Sequence, residues 1–383
     1  MSDNLRHLIG EDKDIDIWRL SSAKSDQNLS HTHRRKVEFN VSQRLATTDG
    51  SGDDHIDRHF ADSMAKESSD REMKIAVVVL DSVNVMTQYL ITHPFVVIRR
   101  QTQVTLRSQV YHLTPFTVIA FIVSLQSKQG FGVLWKGIAS VFITKAIQIG
   151  FESVIAELTT FPKDISSKRK SFECICQHLI LKGMAIILVT PFMCSGSAET
   201  VQSSIATENP GIFDTIWEGF RRITHWKMDR KLPIWLICGP TLSYHLGYYI
   251  ISNCIQNIAF YARTADIKDK NNENTFTNKY RDIMNNFWGQ LVADIMLFPL
   301  QTVLMRLYLQ GTRTIIDNIE KPNAVIPILS NYESTSDCIT TIVKNEGKSG
   351  LFKGFGALVL QYSIHYLILR LTKCCLKKAI PSL

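Results

Sequence analysis

The sequence predicts an all-α membrane protein in which six transmembrane helices form three pseudo-symmetric repeats, preceded by a disordered N-terminal tail. Three observations predict this fold: prolines that recur about 100 residues apart, a glycine-aromatic-basic-glycine cassette that recurs with them, and six long apolar stretches. A repeat of this length is typical of proteins built from one supersecondary unit used several times.

The three prolines are Pro94, Pro191 and Pro299, which lie 97 and 108 residues apart near the ends of apolar stretches. Because proline removes one backbone hydrogen bond, we expect a bend in each of the three helices. Three bent helices around a pseudo-threefold axis can close a basin at one end. The predicted repeats span residues 71–165, 166–275 and 276–383.

The cassette follows the first and the third proline. Its residues are Gly130, Trp135, Lys136 and Gly137 in the first repeat, and Glu346, Gly347, Phe352, Lys353 and Gly354 in the third. Gln129 stands in the first repeat where the third has an acid. The second repeat is damaged, because six residues rather than four separate Glu218-Gly219 from Trp226-Lys227. The glycines allow sharp turns, and the aromatic and basic residues suit a membrane interface.

Six stretches are long enough to span a bilayer, which needs about 20 residues at about 1.5 Å each. They cover residues 74–100, 137–158, 174–200, 232–260, 284–310 and 355–377. Each mixes aliphatic with polar residues, as expected for helices with one face to lipid and one to a polar interior. A soluble all-helical protein is the alternative, but uninterrupted apolar runs such as 75–80 count against it.

Residues 1–70 differ from the rest of the chain. They hold 10 Lys/Arg and 14 Asp/Glu, whereas the whole chain of 383 residues carries a net charge of +8. Few aliphatic residues are present to offset the entropy of ordering, so this segment is predicted to be disordered. It has no apolar core of a secretory signal, and its acids are unlike a mitochondrial presequence.

These motifs resemble those of the mitochondrial carrier family, in which proline is followed by an acid and a base and, later, by the cassette. The resemblance covers about residues 73–380, and Arg99 and Arg306 belong to the same motif set. Short blocks resemble a divergent branch of that family in the mitochondrial outer membrane. They are His93-Pro94 with residues 99–101, and residues 111–117, 209–212 and 231–235.

The chain departs from the family at the gate positions. In carriers, the residues two and five after each proline form three linking salt bridges. Here the pairs are Val96/Arg99, Met193/Gly196 and Gln301/Leu304. A closed network is therefore excluded at this end, and the opposite end allows at most one bridge, for example Glu157 to Lys373. Alternating access needs two states of comparable free energy, so gated solute exchange is disfavoured, with hydrophobic packing in place of the gates.

Asp81, Lys145, Lys182 and Asp294 fall inside predicted spans, where a charge costs several kcal/mol and usually faces an interior or a partner. They either line a residual cavity for a polar ligand or lipid headgroup, or form structural pairs such as Asp81 with Lys182. Together with Glu157 and Lys373 they are the candidate cavity or gate residues.

The resemblance implies an outer-membrane adaptor in mitochondrial fusion and fission balance, cristae organisation and lipid exchange, with its tail in the cytosol. It also implies dynamin-like fusion GTPases and the cristae-organising complex as partners. The basic loops at 168–170, 221–222 and 227–231 suit anionic lipid such as cardiolipin, or are simply solvated. We expect no nucleic acid partner, no cofactor, no metal and no enzymatic activity. A divergent solute transporter and a lipid-handling protein are the alternatives.

Overall fold

The computed structural model describes residues 53–106, 108–163, 172–203, 211, 213–224, 232–266, 275–312, 314–319 and 324–380. Two compact units separate between Glu72 and Met73. The predicted tail up to residue 52 lies outside the described residues. Residues 53–70, which were also predicted to be disordered, are helical instead.

This correction has a local cause. An i,i+4 ion pair joins Arg71 to Glu67 at 3.3 Å on the exposed helix surface. A pair of this kind stabilises a helix slightly, and a segment that extends an existing helix avoids the cost of nucleation. Helix can therefore continue here without an apolar core.

The helices follow in chain order, with short 3₁₀ segments at Phe131–Trp135 and Lys348–Phe352 and a π-helical turn at Thr87–Ile91. They are α1 (Asp53–Met86), α2 (His93–Val104), α3 (Pro115–Gln129), α4 (Ile138–Thr159), α5 (Phe172–Val201), α6 (Asp214–Thr224), α7 (Ile234–Asp266), α8 (Thr275–Leu309), α9 (Thr335–Glu346) and α10 (Phe355–Ala379).

Four helical segments are long and apolar enough to cross a membrane. They are Ser63–Val104, Phe131–Thr159, Phe172–Val201 and Thr275–Leu309. The other two predicted spans form the long helices α7 and α10, which are not among these four segments. The six predicted spans thus coincide with long helices, of which four are apolar enough by themselves.

The three prolines do not act alike. Helices α5 and α8 continue through Pro191 and Pro299. At Pro94, in contrast, α1 gives way to the π-helical turn, and α2 begins anew with Pro94 in its first turn. Proline is tolerated there because the first turn of a helix has no intrahelical acceptor for its missing N–H. The first of the three predicted bends is therefore a helix restart.

A β-hairpin, which the sequence did not predict, lies between α8 and α9. Its strands are β1 (Ile315–Asp317) and β2 (Val325–Pro327), which pair antiparallel with Ile316 opposite Ile326. The hairpin also reaches the end of α5, where Ser203 N donates to Ile315 O at 2.7 Å and Gln202 bridges to Ile316.

The residues that follow the three prolines lie at one end of the helix bundle, which we call the cassette end. The largest apolar cluster lies there. It includes Val104 of α2, Val201 of α5 and Leu309 of α8. Helices α3 and α9 connect the long helices in the first and third repeats. Ser334 caps α9, since its hydroxyl accepts a hydrogen bond from Asp337 N at 3.2 Å.

Candidate functional site

A cavity of about 590 Å³ lies among the long helices. Lys145 of α4 and Lys182 of α5 line it, as does Arg100 of α2. A smaller cavity of about 170 Å³ shares Arg100 with it and is lined by Asp294. Three of the predicted candidate residues therefore border a cavity, whereas Asp81, Glu157 and Lys373 line neither.

The two lysines of the larger cavity have different surroundings. Lys182 Nζ lies 2.6 Å from Glu152 Oε2, and their side chains are 22% and 7% exposed. Lys145 donates instead to the amide oxygen of Gln148 at 3.3 Å. Glu152 thus balances the charge of Lys182, while Lys145 and Arg100 leave the wall positive. A wall of this kind suits an anionic or strongly polar group.

The predicted pairing of Asp81 with Lys182 is wrong. Asp81 Oδ2 lies 2.9 Å from Lys279 Nζ, at the N-terminal part of α8. The two side chains are partly exposed, so this pair contributes about 0–1 kcal/mol of stability. Sequence spacing places a charge on a helix face but does not identify the neighbouring helix, which is why the partner was missed.

The predicted bridge between Glu157 and Lys373 is also absent among the described residues. Glu157 is exposed near the end of α4. Lys373 Nζ lies 4.1 Å from the centre of the Tyr280 ring, which is a cation–π geometry. An aromatic face of α8 therefore takes the place of a carboxylate for this lysine.

Asp294 is buried in α8 and accepts a hydrogen bond from the Tyr362 hydroxyl of α10 at 2.6 Å. A buried carboxylate needs such partners because an unpaired one would be costly to desolvate. Its role in the described structure is to join α8 to α10 at the wall of the smaller cavity.

At the cassette end, the third predicted repeat contains a buried ionic cluster. Arg306 Nη2 and Lys353 Nζ each lie 2.8 Å from Glu346 Oε2, and the three side chains are 2%, 1% and 5% exposed. Burial by itself would raise the pKa of Glu346, but hydrogen bonds and charge from Arg306 and Lys353 hold it below the ordinary value.

The same cluster ties the third repeat to the end of α2. Arg306 Nε donates to Gln103 O at 2.9 Å, and Lys353 Nζ donates to Thr105 O at 3.0 Å. These carbonyls lie nine and eleven residues after Pro94. They are free acceptors at a helix end, so the basic side chains satisfy groups that the helix itself cannot.

The first repeat has a corresponding cluster with a different acid. Lys136 Nζ lies 2.5 Å from Asp317 Oδ2, and their side chains are 6% and 0% exposed. Gln101 Nε2 donates to the same oxygen at 3.2 Å, and Lys136 Nζ donates to Gln202 O at 2.9 Å. Gln202 lies eleven residues after Pro191, as Thr105 does after Pro94.

In the second repeat, Arg222 of α6 is fully buried and donates to Tyr308 O of α8 at 2.9 Å. Tyr308 lies nine residues after Pro299, matching the position of Gln103 after Pro94. Arg222 is therefore buried against α8, so neither of the two alternatives for residues 221–222, lipid contact or a solvated position, applies to it. Gly219 is needed for close packing, since a Cβ there would lie 2.5 Å from the Phe192 ring. Trp226 and the basic groups at 168–170 and 227–231 lie outside the described residues.

The former gate positions at the cassette end hold no closed ion-pair network in the described chain. Met193 and Leu304 belong to the buried apolar cluster. Gln301 is held by neutral hydrogen bonds, donating to the Tyr244 hydroxyl at 3.1 Å and accepting from Gln103 Nε2 at 3.3 Å. Packing and amide hydrogen bonds occupy the place of the salt bridges.

The sequence did not predict the contacts made by six residues, namely Arg100, Gln101, Arg222, Lys279, Asp317 and Tyr362. One signal for Asp317 was present: 47 residues separate Pro299 from Glu346, whereas 35 separate Pro94 from Gln129. The longer interval contains the hairpin.

Comparison with known proteins agrees with the fold. Residues 280–382 match the family model described as mitochondrial carrier protein. Solute carrier family 25 member 46 of Xenopus tropicalis is 40% identical over 304 residues, covering 76% of this chain and 72% of the relative. The mitochondrial outer membrane protein SLC25A46 of Gallus gallus is 39% identical over 304 residues (76% and 73%), and that of Homo sapiens is 34% identical over 353 residues (90% and 84%). The chain therefore belongs to the mitochondrial carrier family, in the branch of solute carrier family 25 member 46.

Proposed function

We propose that this protein is a carrier-like adaptor of the mitochondrial outer membrane that acts in mitochondrial fusion and fission balance, cristae organisation and lipid exchange, without gated solute exchange and without enzymatic activity. The observation that carries the proposal is the closed cassette end, where apolar packing replaces the gate that a carrier would open and close.

Packing makes such an end hard to open. Met193 and Leu304 are both almost fully buried, and exposing a side chain of this size costs about 1.5–3 kcal/mol. An ion-pair gate can exchange its partners for water or for a second network, whereas a packed core has no second set of contacts to gain. A carrier needs two states of comparable free energy, and this end favours one.

The proposed location and partners rest on the relatives and on the family resemblance. Several relatives are named as mitochondrial outer membrane proteins. We place the N-terminal tail in the cytosol and propose dynamin-like fusion GTPases and the cristae-organising complex as protein partners. Membrane lipids, including cardiolipin, are the proposed lipid partners of Arg221 and of the basic residues at 168–170 and 227–231.

Protease protection on intact mitochondria tests the location, with an epitope tag added before residue 1. We expect external protease to remove the tag without rupture of the outer membrane. A tag that is released only after the outer membrane is opened would place the protein in the inner membrane and overturn the proposal.

A second candidate function, divergent solute transport, is favoured by the larger cavity with Lys145, Lys182 and Arg100 in its wall. The double variant Lys145→Gln/Lys182→Gln separates the two. An adaptor keeps normal mitochondrial morphology with this variant but loses it when residues 1–52 are deleted. A transporter shows uptake in liposomes that the double variant abolishes. A defined amount of copurifying lipid would favour lipid handling.

A further inference from the structure

The hairpin between α8 and α9 joins parts of the cassette end that belong to different repeats. It interacts with the first repeat through Lys136 and Gln101 and with the end of α5 through Gln202 and Ser203. We propose that the hairpin is a strap that locks the cassette end shut, by supplying the carboxylate that the first-repeat cassette lacks.

The correspondence between the two clusters supports this inference. Lys136 and Lys353 occupy the same place in their cassettes. Gln101 and Arg306 both lie seven residues after their proline, and each donates to the carboxylate of its cluster. The carboxylate comes from the cassette itself in one case and from β1 in the other. Asp317 thus takes the part in the first repeat that Glu346 takes in the third.

Both carboxylate oxygens of Asp317 accept hydrogen bonds. Oδ2 accepts from Lys136 and Gln101, and Oδ1 accepts from Ser203 Oγ at 2.5 Å. A carboxylate buried to this extent is tolerated only with such partners, and removing one partner of a buried pair leaves an uncompensated charge. Opening the strap would therefore cost free energy, because it would separate Asp317 from Lys136 while either charge is still buried.

The apolar side chains of the strap seal two clusters at once. Ile316 and Ile328 belong to the cluster that contains Val201 and Leu309. Ile319 belongs to a second cluster, which contains Ile98 of α2. Separating the end of α2 from the end of α5 would therefore strip the strap from at least one of them.

Labelling of Cys194 with a fluorescent maleimide tests the lock. Cys194 is a free thiol, 1% exposed within the cluster that the strap covers. The full chain is purified in detergent with the seven other cysteines replaced, and the labelling rate is measured well below the melting temperature. We expect Asp317→Asn to raise the rate by more than about tenfold, because local opening becomes easier.

Two further variants make the result decisive. Lys136→Gln keeps a hydrogen-bond donor for Asp317 but removes the charge, and it should also raise the labelling rate of Cys194. If Asp317→Asn does not fold, Lys136→Gln alone tests the proposal. Asp81→Asn breaks the partly exposed pair with Lys279 and should leave the rate unchanged. The proposal would be overturned if Asp317→Asn and Lys136→Gln were labelled at the wild-type rate. It would also be overturned if Asp81→Asn raised the labelling rate as much as they do. The adaptor function is read from mitochondrial morphology and can fail independently.

Discussion

The buried cluster of Arg306, Glu346 and Lys353 makes a quantitative prediction for the variant Glu346→Gln. The carboxylate oxygen of Glu346 receives both basic groups at 2.8 Å, and all three side chains are almost completely buried. Glutamine has nearly the same shape but no charge. The substitution therefore leaves two cations close together in a buried site without their shared anion.

The expected loss follows from the burial. Removing one partner of a buried ion pair costs about 3–5 kcal/mol. Here the substitution removes the anion of two such pairs, with Arg306 and with Lys353. Globular proteins gain about 2.1 cal/mol/K of entropy per residue on unfolding. For the unit Met73–Leu383, each kcal/mol of lost stability therefore lowers the melting temperature by about 1.5 °C. We expect Glu346→Gln to melt about 5–8 °C below the wild type.

The assay is thermal unfolding of the full chain in detergent. Glu333→Gln is the matched control, because this substitution removes the same charge at an exposed position just before α9. It should melt within about 1 °C of the wild type, as surface substitutions usually do. If both variants unfold at the same temperature, the buried cluster does not stabilise this end of the protein and the reasoning is wrong.

The same cluster predicts a dependence on pH. The pKa of Glu346 is held below its ordinary value of 4.5 by Arg306 and Lys353, which outweigh burial. Its contribution is fully present above pH 4.5 and is lost as the pH falls from there through the folded-state pKa. Glu346→Gln should therefore lose less stability than the wild type between neutral pH and pH values below 4.5. A parallel loss in both proteins would contradict this assignment.

Two further substitutions have matched controls. Gly356→Ala should destabilise by more than about 1 kcal/mol, since its Cβ would lie 2.3 Å from Thr114 O, whereas Gly150→Ala has open space and should be neutral or stabilising. Arg222→Gln should lose about 1–3 kcal/mol, because a buried carbonyl of α8 loses its donor, whereas the exposed Arg221→Gln should change little. Thermal melting measures all four, and equal melting temperatures within either pair would refute that prediction.

The cassette is the part of the candidate site that could be predicted most completely. Glu346, Lys353 and Gly354 were identified from spacing alone, and they lie together because the cassette is local in sequence. Gly354 has a φ of 82°, and its amide donates to Tyr111 O at 3.0 Å. A glycine is needed where φ is positive, which makes this kind of turn visible in a sequence.

The partners between helices could not be predicted in this way. Asp81 was expected to meet Lys182 and meets Lys279 instead, and Lys182 meets Glu152. Helical periodicity specifies the face of a side chain but not which helix packs against that face. The partner depends on which elements become neighbours, a property of the whole bundle.

By itself, the sequence determined the fold class, the long helices and the loss of the gate charges, because periodicity, proline spacing and the cassettes are local patterns. Only the tertiary structure decided what occupies the gate positions and which residue supplies the acid that the first-repeat cassette lacks. Asp317 lies 181 residues after Lys136, on a hairpin whose strands are three residues each. No local pattern joins two such residues; they meet because burial of the strap brings a carboxylate to the lysine that would otherwise be unpaired.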